Sequence, residues 1–358
     1  MKCVNWEVGS TWYADSFDSE KMSINITNLF ENDKKITFLS TCRSAISIIL
    51  SKIGAGKRAL VPSFTCHSVI SPFIKSGYEV QGYPLEGNLE IDVDGLSALV
   101  DNFNPDVILI HGYFGFDTVS KASEYLALCR ERGIIVIEDM TQTLFSRFRH
   151  LDADYSIGSI RKWMPIPDGA FLSGLEIREL TEDTMLSKLK IEAMQGKYDY
   201  IFRGLGQKED FMSEFSRAES MLDSRTEPYA ISRFTLSALS TLDSRGFGDC
   251  RRCNYNCLVE RLAIHPELSI IFPNASLNDV PFLLPLYMGE QRKDFQSYMA
   301  RHNVYPTIIW TCPDELENKI NPAMRQIYDR VLCFHVDQRY DEDDMNKVAD
   351  IIDSYFER

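Results

Sequence analysis

Residues 106–142, DVILIHGYFGFDTVSKASEYLALCRERGIIVIEDMTQ, determine the fold class of this chain. They hold two runs rich in isoleucine and valine, DVILIHG (106–112) and GIIVIED (133–139), on either side of SKASEYLALCRERG (120–133). The middle segment has apolar residues at helical spacing and ends at a glycine, a common helix stop. Near-continuous apolar strands that alternate with helices are typical of a mostly parallel sheet covered on both faces. We therefore expect an α/β fold.

The same alternation extends toward the N-terminus. Strands are predicted at ITFLS (36–40), RALVP (58–62) and YEVQGYP (78–84), and helices at RSAISIILSKIG (43–54) and HSVISPFIKSG (67–77). These segments enlarge the predicted parallel sheet to at least five strands.

The second half of the chain changes character. From about residue 175 to 265 the pattern is helical and more polar. Apolar strands separated by helices follow: PFLLPLYMG (281–289), VYPTII (304–309) and VLCFHV (331–336), with DEDDMNKVADIIDSYF (341–356) as the last helix. We expect a large α/β domain over residues 1–245 and a smaller C-terminal α+β domain over residues 246–358.

Composition excludes several classes of partner. The formal net charge of −14 disfavours nucleic acid and anionic membrane, because both select for basic surface. No run approaches the roughly 18 apolar residues of a membrane span, and the first residues lack the apolar segment of a signal peptide. Nine scattered cysteines are expected to be free thiols in a reducing cytoplasm.

Three of the cysteines have the spacing of part of a metal site. Cys250, Cys253 and Cys257 lie in GDCRRCNYNCLVERL (248–262), which is typical of a single helix, and no fourth ligand is evident nearby. We expect these residues to be structural and the protein to hold no metal.

In open α/β sheets, ligands bind beyond the carboxyl ends of the strands, so the residues that follow each strand are informative. After ITFLS, Arg43 and Ser44 open a helix whose N-terminal N–H groups can bind an anion, although an ordinary helix cap has the same pattern. After RALVP come Cys66 and His67. The His67 ring could stack on a flat cofactor or transfer protons, or it could be only structural.

Two further strand ends carry polar groups. DVILI is followed by His111-Gly112-Tyr113-Phe114-Gly115, which indicates either a close approach of the backbone to a ligand or a tightly packed turn. GIIVI ends in Glu138-Asp139, and a carboxylate at the end of a buried strand is costly without a partner. It could cap a helix or hold the proton of a pyridinium ring.

Lys162 lies between the apolar segment YSIGSI (155–160) and the Pro-rich turn MPIPDG (164–169). A partly desolvated lysine is a usable amine nucleophile, whereas an isolated surface lysine is not informative. With Asp139 upstream and an anion site before that, Lys162 completes a set suited to one cofactor. That cofactor has an aldehyde, a ring nitrogen and a phosphate, as pyridoxal 5'-phosphate (PLP) does.

In this order the stretches resemble the PLP-dependent sugar aminotransferases of the DegT/StrS group, within the aspartate-aminotransferase-like type I fold. The resemblance is strongest from about residue 38 to 172, where Glu138-Asp139-Met140-Thr141-Gln142 matches the family's Glu-Asp-x-x-Gln. It implies Asp139 on the pyridinium nitrogen, Gln142 near the ring hydroxyl and Lys162 as the Schiff-base lysine. The phosphate serine would be Ser159, or Ser156 with one extra residue.

Other motifs depart from the family. Its Gly-Thr-x-Ala-Leu phosphate turn is Cys42-Arg43-Ser44-Ala45-Ile46 here, so the resemblance implies phosphate contacts from Arg43 and Ser44. The aromatic that stacks on the cofactor ring is replaced by Cys66, with His67 one place later. Ile231-Ser232-Arg233 resembles a segment that places its arginine in the partner subunit's site, which implies a two-fold homodimer.

The resemblance implies an aminotransferase that moves an amino group, usually from glutamate, to a keto group of a nucleotide-linked sugar, in polysaccharide or antibiotic biosynthesis. Tyr113, Tyr305, Trp310 and His67 are candidates for lining the substrate pocket. One alternative is another PLP-dependent reaction, such as a decarboxylase, lyase or dehydratase, although Lys162 replaces the histidine of the dehydratase branch. A third hypothesis is a non-catalytic ligand sensor or scaffold, which the retention of Asp139, Gln142 and Lys162 disfavours.

Overall fold

The computed structural model describes residues 3–14, 35–148, 151–177, 179–225, 227–241 and 246–358. Its main sheet has seven strands in the order β2-β8-β7-β6-β5-β3-β4. The strands are β2 (Ile36–Leu39), β3 (Arg58–Pro62), β4 (Glu79–Tyr83), β5 (Val107–His111), β6 (Ile135–Asp139), β7 (Tyr155–Ser159) and β8 (Ala170–Ser173). Strand β8 runs antiparallel to the other six strands, so the mostly parallel sheet predicted from the sequence is confirmed.

The continuous apolar strands arise because both faces of this sheet are buried. Along β5, Ile108 and Ile110 join one hydrophobic core, whereas Val107 and Leu109 join the core on the opposite face. Successive strand residues point to opposite faces, so a strand covered on both sides needs apolar residues at every position.

The helices cover both faces of the sheet and form most of the second half of the chain. They are α1 (Cys42–Ile53), α2 (His67–Lys75), α3 (Val93–Phe103), α4 (Ser123–Glu131), α5 (Thr184–Tyr198), α6 (Lys208–Ser224), α7 (Arg233–Thr241), α8 (Phe247–Leu262), α9 (Arg292–Arg301), α10 (Asp314–Glu317), α11 (Pro322–Arg330) and α12 (Glu342–Phe356). The helices predicted after β2, after β3 and before β6 are confirmed. So is the single helix predicted around Cys250, Cys253 and Cys257.

Helix α3 was not predicted from the sequence. The Asp92 side chain caps it by accepting from the Gly95 N–H, at 2.9 Å, and the helix ends at Asn104 in the left-handed conformation. Because Asn104 replaces the usual glycine, the stop signal that marks the neighbouring helices is weaker here.

The C-terminal part contains a second sheet of order β12-β10-β9, formed by β9 (Ser269–Ile270), β10 (Leu284–Tyr287) and β12 (Val331–Phe334). The N-terminal strand β1 (Val8–Gly9) pairs in parallel with β11 (Val304–Tyr305), so this strand lies against the C-terminal part. The predicted domain boundary at 245/246 falls at residues 242–245, which lie outside the described residues, and it stays a prediction.

Within the described part of the chain, no helix is both long enough and apolar enough to cross a membrane.

Candidate active site

The strands β3, β5, β6 and β7 are parallel, so their carboxyl ends meet at one edge of the sheet. The antiparallel strand β8 begins at that edge, directly after the loop that follows Lys162. The chain therefore brings Asp139, Ser159 and Lys162 to the same edge, where ligands collect in sheets of this kind.

Asp139 is the last residue of β6 and lies in register with His111, the last residue of β5. Both side chains are 3% exposed, and His111 Nδ1 is 3.4 Å from Asp139 Oδ2. Burial alone would raise the pKa of Asp139, but the His111 ring and the Thr141 donors outweigh burial and hold this pKa below its usual value. The Thr141 N–H donates to Asp139 Oδ1 at 2.8 Å. Asp139 is thus an ionised carboxylate in a buried position.

Gln142 lies one turn further on and is fully buried. Its Oε1 accepts from the Phe114 N–H at 2.8 Å, which fixes the orientation of the amide. Its Nε2 is buried and has no acceptor among the described residues. A buried donor without a partner is costly, so this amide is suited to a ligand oxygen.

Thr141 joins the three segments that form the site. Its Oγ1 accepts from the Ser159 N–H at 3.1 Å and lies 3.5 Å from Cys42 Sγ, while its carbonyl accepts from Trp163 Nε1 at 2.7 Å. These contacts hold the end of β7 and the start of α1 against the turn that carries Asp139. Burial and the Asp139 charge raise the pKa of Cys42 to about 12, so Cys42 is a neutral thiol.

Lys162 ends a short 3₁₀ turn, Ile160–Lys162, that follows β7 directly. The turn is closed by the Gly169 carbonyl, which accepts from the N–H groups of Ile160 and Arg161 at 2.9 and 3.1 Å. Gly169 has φ +132°, which a residue with a side chain rarely adopts. Lys162 is half-buried, and its amine makes no hydrogen bond or ion pair with any described residue. It remains available to a ligand.

The start of α1 is capped by Thr41, whose Oγ1 accepts from the Ser44 N–H at 3.2 Å. The Ser44 hydroxyl lies 3.3 Å from that of Thr41 and accepts from the Tyr229 N–H at 3.4 Å. Arg43 points toward α6: its guanidinium donates to Ser68 Oγ at 2.8 Å and pairs with Asp223 at 2.9 Å.

The two serine candidates for the phosphate are separated by the structure. Ser159 is the last residue of β7, at the ligand edge, and it is 4% exposed. Ser156 is in register with Glu138 and Ser173, three residues back along the strand.

The other predicted residues have contacts with groups other than Lys162. The side chain of His67 is 66% exposed and lies 3.8 Å from Glu315, and Cys66 is the residue before α2. Arg233 is 94% exposed at the start of α7, with Glu182 at 3.9 Å. The Tyr305 hydroxyl accepts from Lys208 at 2.7 Å, on the side of the molecule where the N-terminal strand packs.

Tyr113 and Trp310 belong to an aromatic cluster beside Asp139. The ring of Trp310 is 5.5 Å from that of His111, and the ring of Tyr113 is 4.9 Å from it. The Tyr113 hydroxyl donates to the Phe64 carbonyl at 2.5 Å, and Tyr113 is fully buried. Trp310 is half-buried and is thus the member of this cluster that a ligand can reach.

His111 and Thr141 are site residues that the sequence reasoning did not assign. The available signal for His111 was its position: it ends the strand that pairs with β6, and in-register residues of neighbouring strands share a face. No comparable signal marked Thr141. Among the described residues, no group of three His, Cys, Asp or Glu side chains could hold a metal ion.

The fold is the type I fold of PLP-dependent transferases. Asp139 is ionised, and neither the buried Gln142 Nε2 nor the Lys162 amine has a partner among the described residues, so these residues fit PLP.

Residues 2–162 match the model of the DegT/DnrJ/EryC1/StrS aminotransferase family, so the resemblance seen in the sequence is confirmed for this part of the chain. This match supports the predicted enzyme class, a PLP-dependent aminotransferase. No curated protein matches the chain by sequence.

Solved structures extend the likeness over nearly the whole chain. Helicobacter pylori PseC, an aminotransferase involved in pseudoaminic acid biosynthesis, is 13% identical with a TM-score of 0.69, covering 98% of this chain and 100% of PseC. The putative sugar aminotransferase Spr1654 from Streptococcus pneumoniae, in its PLP form, is 11% identical with a TM-score of 0.66, covering 96% and 97%. DesI, solved in the presence of its TDP-sugar product, is 15% identical with a TM-score of 0.63, covering 94% and 86%. At these identities the likeness establishes the fold.

Proposed function

We propose that this protein binds PLP on Lys162 and transfers an amino group from an amino acid, glutamate in the first instance, to a keto group of a nucleotide-linked sugar. The observation that carries the proposal is the convergence of ionised Asp139, the free Gln142 donor and the free Lys162 amine at one edge of the sheet.

When bound, PLP supplies an electron-accepting ring for charge that develops on the carbon next to the amino nitrogen. Asp139 would hold the proton on the ring nitrogen, because an ionised carboxylate stabilises a pyridinium. Its own partners, His111 and Thr141, keep it ionised at neutral pH. Gln142 would donate from Nε2 to the ring hydroxyl, while Oε1 stays on the Phe114 N–H.

Lys162 would hold the cofactor's aldehyde, then be displaced by the amino donor and move a proton between the substrate carbon and the C4' carbon. This role needs an amine that is free to move between two positions. No described residue binds the Lys162 amine, so no existing contact has to be broken.

Ser159, Ser44 and Arg43 are the proposed contacts for the cofactor phosphate, with the free N–H groups at the start of α1. Arg43 would exchange its pair with Asp223 for the phosphate. Ser156, Cys66 and His67 stay secondary candidates.

The substrate pocket is proposed to lie beside Trp310 and Tyr113, with Tyr305 and His67 as outer candidates.

A homodimer is also part of the proposal. Arg233 and its neighbours Phe234 and Leu236 are exposed on α7 at 94%, 38% and 44%, and an exposed apolar face of this kind suits a second subunit. Arg233 would then enter the partner's site.

The sugar-nucleotide class is supported by two of the similar structures: DesI was solved with a TDP-sugar product, and PseC acts in pseudoaminic acid biosynthesis.

Borohydride reduction of the protein supplied with PLP, followed by peptide mass spectrometry, tests the cofactor assignment. We expect a pyridoxyl adduct on the Lys162 peptide. Lys190 is the internal control, because burial lowers the pKa of this second amine to about 8 and makes it chemically competent. An adduct on Lys190 alone, or none, contradicts the proposal.

The reaction class is tested by adding glutamate to the PLP-loaded protein. Conversion of the absorbance of the aldehyde form to that of the amine form is expected for an aminotransferase, and should be abolished in K162A. Persistence of the aldehyde form with glutamate and other amino acids would contradict transamination.

A further inference from the structure

Arg161 directly precedes Lys162, and its guanidinium makes no hydrogen bond with a described residue. Its side chain is 22% exposed, and its Nε is fully buried with no acceptor among the described residues. The nearest carboxylate oxygen is Glu219 Oε1, 3.6 Å from Nη1, which is longer than a hydrogen bond. A guanidinium has five donors in a fixed fork, and leaving them unpaired in a buried place is costly. The group is therefore suited to an anion.

Glu219 is already engaged by another cation. Its Oε1 accepts from Lys190 at 2.6 Å, and the Lys190 side chain is only 6% exposed. Although burial opposes it, the charges of Arg161 and Lys190 hold the pKa of Glu219 at about 2. One carboxylate thus serves two largely buried cations.

The other acidic groups around Arg161 are also engaged. Asp168 accepts hydrogen bonds from the Ser232 N–H and hydroxyl and from the Thr235 hydroxyl, and Asp223 pairs with Arg43. Arg161 is consequently the cation of this cluster with unused hydrogen-bonding capacity.

The position of Arg161 relates this capacity to the active site. It lies two residues after Ser159 and directly before Lys162, in the turn that ends β7. Its charge, like that of Lys162, acts on the Cys42 thiol, the first residue of α1. Thr141 Oγ1 contacts both the Ser159 N–H and Cys42 Sγ, so the end of β7, from which the Arg161 turn continues, is held against the start of that helix.

We infer that Arg161 binds the phosphate monoester of the cofactor held by Lys162, and that Glu219 orients Arg161 when no phosphate is present. The inference rests on the proposed function and adds Arg161 to the residues that bind the cofactor's phosphate. It adds a cation without a hydrogen-bonded partner among the described residues, whereas Arg43 has to exchange its contacts with Ser68 and Asp223 for the phosphate. A phosphate would accept hydrogen bonds from the unpaired donors of the Arg161 guanidinium.

Loss of Arg161 and loss of the Glu219 charge are expected to have opposite effects on binding of the phosphate. Loss of Arg161 removes charge-assisted hydrogen bonds to the phosphate, which weakens binding by roughly tenfold to a hundredfold. Loss of the Glu219 charge removes a repulsion of the phosphate and strengthens binding. A purely structural role of the cluster would weaken binding in both variants.

The test measures equilibrium binding of PLP and of pyridoxal, which has no phosphate, by quenching of tryptophan fluorescence in wild type, R161Q, R161K, E219Q and the control R217Q on the exposed side of α6. We expect R161Q to bind PLP at least about tenfold more weakly while its affinity for pyridoxal is unchanged, with R161K intermediate and R217Q like wild type. E219Q should bind PLP more tightly. Inorganic phosphate should compete with PLP less well in R161Q than in wild type.

The ratio of the PLP and pyridoxal affinities does not depend on how well a variant folds. An unchanged ratio in both R161Q and R161K overturns this inference alone, provided that wild type forms the Lys162 adduct. Failure of wild type to form that adduct overturns the proposed function and this inference together.

Discussion

His111 Nδ1 lies 3.4 Å from Asp139 Oδ2, at the ends of two adjacent parallel strands, and both side chains are 3% exposed. This pair keeps a buried carboxylate ionised where burial alone would favour its neutral form. The charge of Asp139 thus depends on a residue of the neighbouring strand.

Replacement of His111 by leucine should lower the free energy of unfolding by about 1–3 kcal/mol at pH 7, because Asp139 loses a partner for its buried charge. The lowered pKa of Asp139 stabilises the folded protein above about pH 4, and this contribution is lost as the pH falls through the folded-state pKa. In H111L the pKa of Asp139 rises, so the difference in unfolding free energy between H111L and wild type should shrink toward pH 4. Urea unfolding at several pH values measures it, with H67L, whose ring is 66% exposed, as the control. A difference that does not change with pH would contradict the pairing.

Asp139 itself can be tested by D139N, which is nearly isosteric and has no charge. We expect the Lys162 adduct to form, because the lysine is untouched, but conversion of the cofactor by glutamate to slow by at least about a hundredfold. Stopped-flow absorbance measures the rate. A D139N rate close to that of wild type would exclude a role for the carboxylate at the ring nitrogen.

Cys42 should resist alkylation in the folded protein. Its pKa, raised to about 12 by burial and by the Asp139 charge, makes its thiolate fraction at pH 8 about a thousandfold smaller than that of an ordinary thiol. Iodoacetamide labelling with peptide mass spectrometry should modify the exposed Cys3 first and Cys42 only after unfolding in urea. Early labelling of Cys42 would show that the start of α1 opens away from Thr141.

Glu7 should be essential for the packing of the N-terminal segment. Its carboxylate, 5% exposed, forms an ion pair with Lys197 at 2.8 Å and accepts from Lys208 at 2.7 Å, and Lys197 is 1% exposed. E7Q leaves Lys197 buried without a counter-charge, so we expect a loss of about 3–5 kcal/mol at pH 7. E209Q, at an exposed position of α6, is the control.

The pKa of Lys197 predicts how the cost of E7Q in unfolding free energy changes with pH. Burial lowers the pKa of Lys197 to about 8 in the folded protein, whereas the unfolded chain has the ordinary value near 10.5. The unfolded state therefore binds more protons between these values, and stability rises with pH in that window. The cost of E7Q should be smaller at pH 9.5 than at pH 7, because Lys197 is then neutral. An equal cost at both pH values would contradict the charge argument.

Arg251 of α8 connects the C-terminal part to the turn next to Lys162. It is 1% exposed, donates to the carbonyls of Pro281 and Phe282 at 3.0 and 3.1 Å, and lies 4.6 Å from the ring centroid of Trp163. R251M keeps much of the volume but leaves these carbonyls unpaired, so about 3 kcal/mol of unfolding free energy should be lost.

Denaturant unfolding monitored by tryptophan fluorescence measures this effect. The neighbouring R252M is the matched control, because Arg252 donates to one carbonyl, that of Asp279 at 2.9 Å, and should cost less. Equal losses in the two variants would show that the contacts of Arg251 with the lysine turn are unimportant.

The sequence by itself determined the α/β class, because only a sheet buried on both faces requires continuous apolar strands such as those of β5 and β6. It also predicted that Asp139 ends such a strand and that Lys162 follows an apolar segment, and both positions are at the ligand edge of the sheet. The tertiary structure alone decided which residues contact the site residues. His111 meets Asp139 through strand register, Thr141 joins three segments of the chain, and Arg43 pairs with Asp223 of α6. Contacts of this kind depend on how distant elements pack, and local sequence patterns do not encode that packing.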